Sequence, residues 1–298
     1  MVSDEGFDAT TPLARELADL TRRRRALADV SVPLPTKTRV IAVANQKGGV
    51  GKTTTCVNVA AALARFGAKV LVIDLDPQGN ASTALGVDHH GDIPSIYDVL
   101  VGTTDIAETV VASPENPRLL CSPSTLDLAG SEIELVTMAA REYRLARALE
   151  RYSASPEGSD VDYVLIDCPP SLGLLTINAF VAAREVMIPI QCEYYALEGV
   201  SQLVRNIELV QGHLNPQLSL STIILTMFDA RTNLAQQVVD DVRSHFAHQT
   251  LQTLIPRSVR VSEAPSYGQT VIAYDAASPG AVAYQEAAVE IARKGVTV

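Results

Sequence analysis

The sequence of 298 residues contains no CxxC pair and no uninterrupted apolar run near the roughly 18 residues needed to cross a bilayer. Its four cysteines, at 56, 121, 168 and 192, lack the close spacing of a metal clip or redox pair, so they are expected to be reduced core residues. The N-terminus, MVSDEGFDATTPLARELAD, lacks the charged-then-apolar order of a signal segment, and the chain is expected to be soluble and cytoplasmic. No helix-turn-helix pattern is evident. Basic residues are outnumbered, 24 against 34, and the net charge of −10 argues mildly against a polyanion partner. A local patch of arginines can still hold a phosphate backbone on an acidic molecule.

What is there is the composition of a globular protein, 47% hydrophobic and 19% charged, long enough for a sizeable core. Residues 1–37 stand outside the core pattern as an N-terminal extension. Within it, Thr11 and Pro12 read as a helix cap and first turn, and Leu13, Leu17, Leu20 and Leu27 give a short amphipathic stripe. The RRRR run, Arg22 to Arg25, reads as a solvated face or a disordered tail, with a docking or polyanion-touching element as the sharper alternative. SVPLPTKT reads as a linker into the first strand.

From residue 38 to 298 strands and helices alternate. RVIAVAN, KVLVIDL, YVLIDCP, VMIPIQC and STIILTMF are mostly near-continuous apolar runs, as parallel strands covered on both faces require. Helical stretches are expected at 53–65, 124–151, 172–183, 197–211 and 232–247. This order predicts an α/β fold with one doubly wound, mostly parallel sheet flanked by helices, and a ligand beyond the carboxyl ends of its strands.

The loop after the first strand carries the chemistry. A phosphate loop reads GxxxxGK[ST]; Gly51, Lys52 and Thr53 match its end, but Gln46 stands where its first glycine would be. In KGGVGKTT, Gly48, Gly49, Val50 and Gly51 turn backbone amides toward an anion at a helix N-terminus, and Lys52 reaches the β- and γ-phosphates. The Thr53 hydroxyl is a ligand for Mg²⁺, with Thr54 beside it. A second lysine, Lys47, has no task in an ordinary phosphate loop. Asp74 and Asp76 end the second strand and Asp167 ends another, and three carboxylates beside a polyphosphate call for a divalent cation between them.

Together, KGGVGKTT, VIDLDPQGN, VLIDCPPSLG, TMFDARTNLAQQV and IPRSVRVSEAPSYGQ resemble the ParA/Soj-type partition ATPases of chromosomes and plasmids, in the deviant Walker A group of P-loop NTPases that also includes MinD. The resemblance runs from about residue 38 to 293. It implies that Lys47 crosses to the nucleotide of a second subunit, so that two ATP molecules are sandwiched in a homodimer. It further implies that Asp76 orients the attacking water, that Asp74 supports it near Mg²⁺, and that Asp167 is the Walker B acid at the head of a switch segment ending at Gly173. Met227 and Pro256 match the base-contacting region, and Arg231, Arg257 and Arg260 match basic residues that hold double-stranded DNA non-specifically.

The reading implied is an ATPase that positions DNA on the nucleoid and is released when a ParB-type centromere-binding partner stimulates weak intrinsic hydrolysis; a polar scaffold protein is a further candidate partner. Two alternatives stand beside it. A MinD-like membrane-cycling ATPase needs a bulky amphipathic C-terminal helix, and SPGAVAYQEAAVEIARKGVTV is too alanine-rich for one, so no membrane contact is expected. A metabolic enzyme of the same fold would pass the phosphoryl group to a substrate, and the arginine-bearing motifs speak against it.

Overall fold

Strands apolar on both sides need cover on both sides, and alternate residues of the central strand supply two separate cores. Ile41 and Val43 enter one, Ala42 and Ala44 the other. The computed structural model describes residues 11–193 and 196–295. Its strands are β1 (Arg39–Val43), β2 (Val70–Asp74), β3 (Val111–Ser113), β4 (Asn116–Ser122), β5 (Tyr163–Asp167), β6 (Glu185–Gln191), β7 (Ser219–Phe228) and β8 (Thr250–Pro256). They form one sheet in the order β3-β4-β2-β5-β1-β6-β7-β8, with only the edge pair β3 and β4 antiparallel. The expected α/β architecture is therefore present.

The chain leaves β1 in the middle of the sheet, crosses to β2, and later returns to place β5 between them and β6 on the other side. The crevice at this reversal opens at the carboxyl ends of β1, β2 and β5, where a doubly wound sheet holds its ligand. The helices Lys52–Arg65 and Pro279–Lys294 pack together on one face, with Leu63, Tyr284 and Ala288 buried between sheet and helices. The helices Arg144–Ala154, Leu174–Ala182, Ala196–His213 and Asn233–His245 take the other face.

Several elements differ from the sequence expectation. The single helix expected at 124–151 is two, Leu128–Thr137 and Arg144–Ala154, joined by a turn in which Ala140 takes a left-handed φ of 51°. No Gly or Pro marks that break. The backbone groups it frees are held from a distance: the Asn178 side chain accepts from the Leu145 amide and donates to the Arg141 carbonyl. The strands β3, β4 and β8 were not anticipated, being short or mixed with Pro, Arg, Gln and Thr at the outer parts of the sheet.

In the N-terminal extension, Thr11 caps the helix Pro12–Ala28, accepting from the Ala14 amide at 3.3 Å. The helix lies on Pro279–Lys294: Leu27 packs with Val282 and Val289, and Arg23 makes a double hydrogen bond to Glu286 at 2.8 and 2.6 Å. One member of the RRRR run is thus a docking contact within the chain, while Arg22 pairs with Asp19. Residues 1–10, to which the expectation of partial disorder also applied, lie outside the described residues, as do residues 194–195 and 296–298. All four cysteines are free and buried, as expected.

Candidate functional site

β1 ends at Val43, and the loop that follows is held before it turns into its helix. Asn45 donates to the Pro189 carbonyl at 2.8 Å and accepts from the Lys47 amide at 3.0 Å. The hydroxyl of Thr226, on β7, donates to the Val50 carbonyl at 2.9 Å. Gly49 and Gly51 take φ of 74° and 86°, left-handed values that a side chain would strain, and Gly51 is the N-cap of Lys52–Arg65. No side chain caps this helix, so the amides of its first turn are left to an anion.

Lys52 is buried, and its Nζ donates to the Lys47 carbonyl at 3.2 Å. Burial pushes its pKa down, opposed by the nearby charges of Asp167 and Asp76. Lys47 behaves differently. Its side chain is 46% exposed at the rim of the loop, with Nζ 3.4 Å from Glu193.

Asp74 and Asp76 lie near enough for their charges to act on Asp167, but the environments of the three carboxylates differ. Asp74 and Asp167 are in register on β2 and β5, and both are fully buried. Asp74 accepts from the Asp76 amide at 3.2 Å, and from the amide and hydroxyl of Ser82 at 2.8 and 2.7 Å. Burial nevertheless pushes its pKa up to about 6. Neither oxygen of Asp167 makes a hydrogen bond among the described residues. Burial first, and then the charge of Asp74, raise its pKa well above the carboxylate range; the neighbouring Thr53 hydroxyl and Lys52 only reduce the effect.

A buried carboxylate left bare in this way needs a cation or a proton. Hard oxygen donors at Thr53 and Asp167, beside a site for phosphate oxygens, fit Mg²⁺. Among the described residues, no three His, Cys, Asp or Glu side chains are grouped to hold a metal on their own. That suits an ion which keeps several waters and shares its ligands with a nucleotide.

Asp76 is nearly buried at the cleft wall; one of its oxygens accepts from the Gln78 amide at 3.0 Å. The cleft, of ≈ 390 Å³, is lined by the loop glycines, Lys52, Thr53 and Thr54, by Asp76, and by Pro170 from the segment after β5. Met227 also lines it, with a left-handed φ of 53° that is costly for a side-chain-bearing residue. Pro256 does not line this cleft: it pairs with Phe228 at the end of β8, and Pro170 and Pro265 are the prolines at the cleft wall. Sequence reasoning also missed Asn45, Ser82 and Thr226, whose polar side chains hold the loop and Asp74 but follow no motif spacing.

The three arginines lie beyond the carboxyl ends of β7 and β8, each beside an acid. Arg231 makes a double hydrogen bond to Asp229 at 2.8 and 2.7 Å, which holds the Asp229 pKa down to about 2. Arg257 is 3.9 Å from Glu193, and Arg260 is 3.1 Å from Glu263 and 3.6 Å from Asp275. All three are more than half exposed, and ion pairs so placed hold their partners weakly.

The strand, the glycine turn, the uncapped helix and the acids at neighbouring strand ends define the chain as a doubly wound protein of the P-loop NTPase class. Residues 38–220 match the family model described as an AAA domain. The chain is 51% identical to the sporulation initiation inhibitor protein Soj of Bacillus subtilis (strain 168), over 86% of this chain and 99% of that one. It is also 51% identical to the chromosome partitioning protein ParA of Caulobacter vibrioides (strain NA1000 / CB15N), over 85% and 93%. Among solved structures it resembles one described as cobyrinic acid a,c-diamide synthase from Mycobacterium smegmatis with bound ADP and magnesium. That likeness is at 40% identity and TM-score 0.74, covering 87% of this chain and 96% of that one. The chain belongs to the Soj/ParA family of chromosome-partitioning proteins.

No helix among the described residues is long and apolar enough to cross a membrane.

Proposed function

We propose that the chain is an ATP-driven partitioning switch: with ATP and Mg²⁺ it forms a homodimer that holds DNA without reading its sequence, and hydrolysis returns it to the free monomer. The observation that carries this reading is the division of labour between two lysines in one loop. Lys52 is buried and turned into the loop, whereas the Lys47 side chain stands half exposed at its rim, directed to Glu193. A cation so placed is idle in one molecule and useful beside the triphosphate of another, where it makes charge-assisted contacts that loss of the γ-phosphate weakens.

Within the cleft, the loop amides and Lys52 bind the phosphates, and Thr53 with Asp167 hold Mg²⁺. Such an ion, when bound, would supply charge neutralisation at the phosphates. Asp76, with one oxygen fixed by the Gln78 amide and the other available, orients the attacking water. Asp74, fastened by Ser82, fixes the strand end from which Asp76 extends. The segment Asp167–Gly173 reports the state of the γ-phosphate, since Pro170 already lines the cleft. Met227 supplies the apolar wall for the base; Pro256 has less support in that role than Pro265.

DNA is held by Arg231, Arg257 and Arg260, whose surface ion pairs are weak enough for phosphate to displace. The dimer doubles this patch and makes retention depend steeply on nucleotide. A ParB-type partner raises turnover and releases the protein from the nucleoid, and a polar scaffold protein is a further partner.

The metabolic reading has the 40% identical, ADP-bound structure behind it. The two readings part in one experiment: retention on double-stranded DNA of the form bound to a non-hydrolysable ATP analogue, at several salt concentrations. The dimer reading predicts a steep fall of log K with log salt, and a slope about 2 units shallower for Arg260→Ala, one phosphate contact per subunit. Equal slopes for parent and variant would remove Arg260 from DNA; no retention by the parent would favour phosphoryl transfer to a substrate.

A further inference from the structure

Glu193 follows β6 and stands between Lys47, which follows β1, and Arg257, which follows β8. Its Oε2 is 3.4 Å from Lys47 Nζ, and its Oε1 is 3.9 Å from Arg257 Nη2. The Gln191 side-chain amide also donates to Oε1, so the carboxylate is oriented rather than free to swing. Meanwhile the backbone of Lys47 is fixed at both ends: its amide donates to Asn45, and its carbonyl accepts from Lys52. The Lys47 side chain can therefore change partner without moving its own backbone, and the acid it meets is Glu193 of its own chain.

We propose that Glu193 is a latch that holds Lys47 in cis, so that ATP-driven dimerisation must first take the lysine from Glu193 and hand it to the triphosphate of the second subunit. This rests on the sandwich reading given above. The exchange is favourable because a triphosphate carries more negative charge than one carboxylate and lies at a face from which water is excluded. It is reversible because Glu193 is not left bare: Arg257 remains beside it as a counter-cation. Two further consequences follow. Nucleotide binding weakens the fixed state from the other side, since phosphate draws Lys52 away from the Lys47 carbonyl. Arg257, retained by Glu193 in the dimer, contributes less to DNA retention than Arg231 and Arg260.

The test is light scattering of the full chain against a non-hydrolysable ATP analogue with Mg²⁺, in the parent, Glu193→Gln, Glu193→Asp, Arg257→Ala and Lys47→Ala. An exposed ion pair opposes its rupture by roughly 1.5- to 5-fold, and a symmetric dimer breaks two, so Glu193→Gln is expected to raise the dimer association constant by roughly 2- to 25-fold. Glu193→Asp keeps the charge and is expected to fall between Gln and the parent. Arg257→Ala leaves Glu193 to Lys47 alone and is expected to shift the midpoint the opposite way. A midpoint unchanged or raised in Glu193→Gln, with Lys47→Ala still unable to dimerise, overturns the latch and leaves the sandwich standing. Normal dimerisation of Lys47→Ala overturns both. Equal melting temperatures for the parent and the Glu193 variants separate the shift from a change in folding.

Discussion

The two ends of the sheet treat charge in opposite ways. At the amino ends of β1 and β6, Arg39 grips Glu185 through two bonds of 2.7 Å, donates a third to the Ile291 carbonyl at 2.7 Å, and lies over the Tyr163 ring. The charged groups there are all paired, and the buried Tyr163 hydroxyl is the one polar atom named that is left without a partner among the described residues. At the carboxyl ends, among the described residues, Asp167 accepts no hydrogen bond, Lys52 donates to a carbonyl of its own loop, and Met227 sits in a strained backbone conformation. The lower end is built to hold the fold together. The upper end keeps unmet demands in place for a ligand to satisfy, so removing a group there should change function far more than stability, with the reverse below.

The sharpest way to break that contrast is Asp76→Ala. If Asp76 orients water, turnover should fall by roughly 100-fold or more, the scale of a lost catalytic base, while nucleotide binding persists. The mutant should then accumulate as the DNA-bound dimer. Steady-state phosphate release with DNA and a ParB-type partner checks it; a parental rate would move the role to another carboxylate.

At the lower end, Arg39→Ala should destabilise the chain by roughly 3 kcal/mol, because it leaves Glu185 without its partner in a mostly buried site. Denaturant unfolding measures this, and nucleotide affinity should stay within about 2-fold. A loss of binding that matches the loss of stability would show that the two ends are not separable.

A smaller effect of opposite sign is expected at Asp167. Its folded pKa is raised, so the folded state holds a proton more tightly than the unfolded chain, whose carboxylates titrate near pH 4. Stability of the nucleotide-free protein should therefore fall as the pH rises above about 4 and continue to fall toward the raised pKa. Asp167→Asn should flatten this dependence and raise the melting temperature at pH 8 by a few degrees, while abolishing Mg²⁺-dependent nucleotide binding. Thermal scans at pH 5 and pH 8 without nucleotide test it; a lower melting temperature for Asn at both would mean that the charge is already compensated.

The same contrast explains what was legible in the sequence. β1, β2, β5, β6 and β7 and the glycine turn announce themselves through local composition, and so do the acids at strand ends, since motif and position coincide there. The break at Ala140 does not, because its backbone is satisfied by Asn178, more than 30 residues away. Ser82 and Thr226 are invisible for the same reason: their roles depend on partners supplied by the fold. Met227 matches the base-contacting region in sequence and lines the cleft, whereas Pro256 matches it in sequence without lining the cleft, and Pro265, which does line it, carries no signal in its spacing.

The central claim is that Lys47 works in trans. Light scattering of the parent and Lys47→Ala, each with and without ATP and Mg²⁺, tests it most directly. The account predicts that the parent doubles its mass with nucleotide, and that Lys47→Ala keeps the monomer mass while still binding ATP through Lys52 and the loop amides. A Lys47→Ala protein that dimerises with ATP as the parent does would contradict it.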